Sequence, residues 1–128
     1  MDVVDDLLYT KEHEWISIEG DEAIIGISDY AQESLGDITY VQLPNVDEEV
    51  EQFEEFASVE SVKAANDIFS PMSGRVISVN DDLNEEPGLI NSSPYDKGWI
   101  ARIKLSDTEE QSNLMSAEEY RKFLEGMG

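Results

Sequence analysis

The sequence predicts a mainly β protein, a sandwich or flattened barrel with helices at its margins. Short runs rich in β-branched and aromatic residues recur along the chain, separated by Gly, Pro, Asn or Asp clusters. Near the C-terminus, Trp99, Ala101, Ile103 and Leu105 alternate with Arg102 and Lys104, the period-two pattern of a half-buried strand. Helix signals are confined to a short segment after the first hairpin and to the last dozen residues, so helices flank the sheet rather than alternate with strands.

In chain order, residues 15–18 and 23–27 read as a hairpin across the turn Glu19-Gly20-Asp21-Glu22. Ser28 is positioned to cap, and Gly36 to stop, a helix of about two turns. Residues 38–43 form a strand closed by Pro44-Asn45. The segment 47-DEEVEQFEE-55 reads as a solvated acidic face tied down by Val50 and Phe53. Residues 56–60 and 68–69 are the arms of a second hairpin with Lys63 near its tip. Pro71-Met72-Ser73-Gly74 turns the chain into a strand over 75–79, and Asn80-Asp81-Asp82 turns it again. Residues 84–98, rich in Pro, Gly, Asn and Ser, read as a long irregular connection. Ser116 with Glu119 makes a capping box, and Tyr120, Phe123 and Leu124 supply the apolar stripe of a C-terminal helix.

A chain of 128 residues, 40% hydrophobic and 30% charged, predicts one soluble domain over residues 1–128 with a real core. Its longest apolar runs fall far short of a membrane span. The N-terminal MDVVDDLLYT is acidic where a signal peptide needs basic residues, so a cytoplasmic location is expected, or one reached with a targeting segment already removed. A formal net charge of −22 excludes an electrostatic nucleic-acid binder and disfavours anionic membranes, while attracting basic protein surfaces. With no cysteine, disulfides, thiolate metal sites and thiol nucleophiles are excluded, and any redox chemistry must come from a cofactor.

No catalytic constellation is visible. His13 is the sole histidine and lacks partners for a triad or a metal site, and no glycine-rich phosphate loop is present. Lys63 stands out instead. The chain has 8 Lys plus Arg against 30 Asp plus Glu, yet this lysine sits among Ser61, Val62, Ala64 and Ala65. From the window alone it is either a solvated turn lysine or a group left accessible by small neighbours, with Val59 and Val62 before it and Ile68 and Phe69 after it as anchors of the tip.

The run 60-ESVKAANDIFSPMSG-74 resembles the lipoyl-attachment segment of the glycine cleavage system H-protein family. The stretches 12-EHEW-15, 26-GISDYAQESLGDITYVQLP-44, 79-VN-80 and 88-GLINSSPYDKGWIARIK-104 follow that family in order and spacing, covering nearly all of the chain beyond its first eight residues. The resemblance implies a barrel-sandwich hybrid, the lipoyl-domain-like flattened barrel. It implies lipoate joined to Lys63 through an amide, with Glu60, Ser61, Val62 and Ala64 as the context read by a lipoate ligase or lipoyltransferase. It implies a non-catalytic carrier that takes the aminomethyl group of glycine from a pyridoxal-phosphate glycine decarboxylase to a tetrahydrofolate-dependent aminomethyltransferase, and is then reoxidised by dihydrolipoyl dehydrogenase. A monomer with no metal is expected.

In the family a cleft beside the attachment hairpin shelters the loaded arm from water. Glu14 and Asp67 match acidic positions near it and are the candidates for holding the ammonium of the loaded group, although in so acidic a chain each can equally be an ordinary exposed acid. Asp47 and Phe53 stand where the family commonly has glycine, so an altered local backbone is expected there. Tyr30 occupies a position where histidine is also common. Lipoyl domains of 2-oxo acid dehydrogenases typically show Asp-Lys-Ala, and biotin carriers Met on both sides of the lysine; neither pattern is present here. A lipoate donor to other proteins, or an unmodified acidic adaptor, remains open from the sequence.

Overall fold

The computed structural model describes residues 2–127. Among the described residues the strands are β1 (Leu8–Tyr9), β2 (Glu14–Glu19), β3 (Glu22–Ile27), β4 (Ile38–Gln42), β5 (Glu49–Val50), β6 (Glu55–Ser61), β7 (Ala65–Phe69), β8 (Gly74–Val79) and β9 (Ala101–Leu105). The helices are α1 (Asp29–Leu35), α2 (Asp82–Glu85), α3 (Leu89–Ser92) and α4 (Ala117–Gly126), with a 3₁₀ segment over Thr108–Asn113. Two sheets result, one in the order β1-β2-β3-β9-β8-β5 and one in the order β4-β6-β7, all neighbours antiparallel. The predicted flattened β sandwich is borne out; the sheets do not close into a continuous barrel.

The core lies between the sheets because the alternating strands deliver their apolar positions there. Ile25, Val76, Ala101 and Ile103 are fully buried and join Val41, Val59 and Ile68 of the second sheet in one cluster. The outward residues of β9 are paired across the strand instead: Arg102 meets Glu22 at 3.3 Å and Lys104 meets Asp21 at 3.5 Å. A second cluster packs α4 against the N-terminal segment, where Tyr9 and Tyr120 stack with ring centroids 4.3 Å apart. The predicted capping box of α4 is present, with Ser116 and Glu119 each satisfying the other's backbone N–H. No described helix is long and apolar enough to cross a membrane.

Several expectations need correction. Residues 84–98 are not wholly irregular: α3 lies within them, and α2 overlaps their start. Each of these helices is only four residues long, below the length at which periodicity shows. The strand β1 precedes the expected first hairpin and is two residues long. Phe53 does not tie down the acidic segment. Val50 does so, at 4% exposure, whereas Phe53 is 49% exposed. Val62 likewise anchors nothing, at 68% exposure.

Asp47 and Phe53, where an altered local backbone was expected, have φ of 74° and 66°. The backbone there is the left-handed one that glycine adopts freely. A non-glycine residue holds it at a cost of about 1–3 kcal/mol, greatest for a bulky side chain.

Candidate functional site

Lys63 sits at the tip of the β6–β7 hairpin, as the sequence predicts. The turn is closed by the Ser61 N–H donating to the Ala64 carbonyl at 2.8 Å. The Ser61 hydroxyl oxygen accepts from the N–H groups of Lys63 and Ala64 at 3.2 and 3.1 Å. One small polar residue therefore satisfies the tip internally and leaves Lys63, Ala64 and Ala65 exposed. The tip is also braced from outside. Val62 donates its N–H to the Asp37 carbonyl at 3.1 Å. Asn91 on α3 holds that corner by accepting from the Ile38 N–H at 2.9 Å and donating to the Gly36 carbonyl at 2.9 Å.

Gly36 is favoured at this corner by its backbone: its φ of 78° ends α1 in a conformation that side chains rarely adopt. The Lys63 stem lies against it. A Cβ at Gly36 would stand 3.4 Å from Lys63 Cε. The lysine thus leans on the C-terminal end of α1.

Between α1 and the hairpin is a cleft of about 430 Å³. Ala31, Ser34 and Leu35 of α1 line one side, and Val59, Asn66 and Asp67 of the hairpin line the other. Glu12, His13 and Glu14 form its end, with Met127 also on the lining. The structure therefore brings Glu14 and Asp67, 53 residues apart in sequence, onto one cavity, with Lys63 on the same hairpin as Asp67.

The two carboxylates differ sharply. Asp67 is exposed, and its hydrogen bonding and charge push the neighbouring Glu55 carboxyl up. Glu14 is 2% exposed. Its Oε1 accepts from the Thr10 hydroxyl and its Oε2 accepts from the Phe69 N–H at 3.1 Å. Glu14 is thus no ordinary surface acid: it ties the start of β2 to the base of the attachment hairpin. Burial pushes its carboxyl up to about 7, against the lowering effect of these hydrogen bonds.

The folded state therefore keeps a proton that the unfolded chain releases between pH 4.5 and about 7. Glu14 contributes its full stability below the lower value and loses it as pH rises to the upper one, by about 3 kcal/mol in all. Urea unfolding should show Glu14→Gln gaining that much relative to the parent between pH 4.5 and 8. A constant difference across this range would mean that Glu14 does not titrate in the folded protein.

His13 has a structural place. Its φ is 72°, its carbonyl accepts from the Ser28 N–H at 2.9 Å, and its Nδ1 lies 2.8 Å from the Tyr120 hydroxyl. That hydroxyl is also 2.8 Å from the Ser28 Oγ, which caps α1 by accepting from Ala31. Burial lowers the His13 pKa below its ordinary value, and its ring packs on Tyr30 at 4.5 Å. Among the described residues no cluster suited to a metal ion occurs.

Sequence reasoning passed over Glu12, Thr10, Asn91 and Met127. Thr10 acts within its own turn, through Glu14 four residues on. Asn91 and Met127 contribute through contacts between distant segments, for which no local signal exists.

Residues 7–127 match the family model described as glycine cleavage H-protein. The chain belongs to the glycine cleavage H-protein family. It is 50% identical to a glycine cleavage system H protein of Halothermothrix orenii, over 98% of each chain. It is 52% identical to the mitochondrial glycine cleavage system H protein 2 of Arabidopsis thaliana, over 96% of this chain and 79% of that one. The crystal structure of a glycine cleavage system H protein from Mycobacterium marinum superposes with a TM-score of 0.86 at 36% identity, covering 94% of this chain and 97% of that one. A member of the glycine cleavage H-protein family is a lipoate-bearing carrier subunit of the glycine cleavage system and not a catalyst. The local geometry fits such a group: an exposed primary amine on a braced tip, small neighbours on its C-terminal side, and a cleft alongside.

Proposed function

We propose that Lys63 is the lysine that carries lipoate, in amide linkage, and that residues 1–128 act as one monomeric carrier domain in the cytoplasm. The observation that carries this reading is the placement of Lys63. It is the only lysine on the hairpin, held at an exposed tip that Ser61 closes from within and Asp37 braces from without. A lipoate ligase or lipoyltransferase would approach this tip through Glu60, Ser61, Val62 and Ala64. Lipoate held on Lys63 would supply a disulfide, reduced to a dithiol as it takes up and passes on the aminomethyl group between glycine decarboxylase and the aminomethyltransferase, for reoxidation by dihydrolipoyl dehydrogenase.

This chain's own residues do the rest. Ser61 and Asn91 keep the tip and its supporting corner in one geometry, so each enzyme meets the same surface. Val59 and Leu35 give the cleft an apolar patch on either side, against which an apolar arm can lie. Asp67 puts a carboxylate on the cleft, and Glu14 a buried carboxyl that an arriving ammonium would hold in its ionised form. Each Glu14 oxygen already accepts one hydrogen bond but keeps a free lone pair, so Glu14 can take a further donor without releasing Thr10 or Phe69.

Peptide mass mapping of protein from its native host should find lipoyl on Lys63 alone. Lipoyl on Lys11, Lys97, Lys104 or Lys122 would overturn the assignment.

A further inference from the structure

A second cavity, of about 390 Å³, lies at the base of the attachment hairpin, on the other side of Glu14 and Phe69 from the cleft. Phe69 is six residues from Lys63, which places the cavity about 20 Å along the strand from the tip. Tyr9, Phe69 and Met115 make it apolar, and Phe53 stands at it with its ring half exposed.

The placement of Phe53 is unusual in three respects. Its left-handed backbone, at φ 66°, is one that an aromatic residue rarely adopts. Its surroundings impose that backbone. The Phe53 N–H donates to the Ser70 carbonyl at 2.6 Å, and the preceding Gln52 is held through Ser73, Pro71, Glu110 and Asn113. The backbone that presents the ring is therefore fixed before any partner arrives. Around it stand Glu51, Glu54 and Glu12, with Lys11 as the sole cation on the lining.

We propose that Phe53 and this cavity form a docking surface for a component enzyme of the glycine cleavage system, which inserts an apolar side chain flanked by lysine or arginine. An aromatic anchor at an apolar pocket inside a charged rim is the usual anatomy of an interface hot spot. The acidic rim selects a basic partner, and a net charge of −22 repels a second copy of this chain. A partner engaging both the tip and this base would span about the width of a standard interface. The inference rests on the carrier reading above and adds where on the carrier an enzyme grips.

The test uses the lipoylated parent with Phe53→Gly and Phe53→Asn, both of which tolerate the left-handed backbone. Each variant should be lipoylated on Lys63 and melt no more than about 3 °C below the parent, relief of the left-handed strain acting to raise the melting temperature. With purified component enzymes, the KM for the carrier should rise about tenfold for at least one of them, at unchanged kcat. Parental KM values with every component overturn the docking surface and leave the carrier reading standing. Self-association of the parent that both variants abolish assigns the surface to a second copy and also overturns it. Absence of lipoyl from Lys63 in the parent removes the carrier reading and this inference together.

Discussion

Lys63→Arg should yield a carrier without lipoate and reduce glycine-dependent one-carbon transfer to background. Arginine preserves the charge and much of the length of lysine, so the surface seen by partner enzymes barely changes. The guanidinium is delocalised and stays protonated at any accessible pH, so it offers no free amine to acylate. The side chain is exposed and makes no ion pair within 4.0 Å among the described residues, so folding should be unaffected and the melting temperature should stay within about 2 °C of the parent. Intact mass and a coupled assay read both outcomes on one preparation. Retained turnover would place the attachment point elsewhere.

The double variant Glu14→Gln, Asp67→Asn should lose its aminomethyl group to water about ten- to a hundredfold faster than the parent, with lipoylation of Lys63 intact. A charge-assisted hydrogen bond in a site shielded from water is worth about 1.5–3 kcal/mol, which corresponds to that range. Only a contact that differs between the loaded and unloaded states can bias docking, and the ammonium supplies the difference. Glu14 should dominate, since it is almost completely buried whereas Asp67 is exposed and shares its environment with Glu55. Formaldehyde and ammonia release measured on loaded protein decides it. A parental release rate would mean that the cleft protects its cargo without these carboxylates.

Much of the fold was legible because its signals are local. The turn at Gly20, the Ser28 cap, the Gly36 stop, the alternation from Ala101 to Leu105 and the Ser116–Glu119 box each lie within a few residues, and each is where the sequence reading put it. The failures share one cause. Phe53 and Val62 are apolar residues that local reasoning used as anchors, yet both side chains stand in solvent, Phe53 on a left-handed backbone and Val62 at the hairpin tip. The helices α2 and α3 are single turns whose positions depend on contacts such as Asn91 with the Gly36–Ile38 corner.

The candidate site divides the same way. By itself, the sequence determined the lysine and its hairpin, the absence of thiol chemistry, and the excess of acid, because residue identity and short-range spacing suffice for these. Only the tertiary structure decided what the acids do. A sequence with 30 carboxylates cannot rank them. Burial ranks them at once: Glu14 is closed off between Thr10 and Phe69 with its carboxyl pushed up to about 7, while Asp67 stays in solvent on the same cleft. Desolvation depends on which distant segments pack over a group, and that packing exists only once the two sheets have closed on each other.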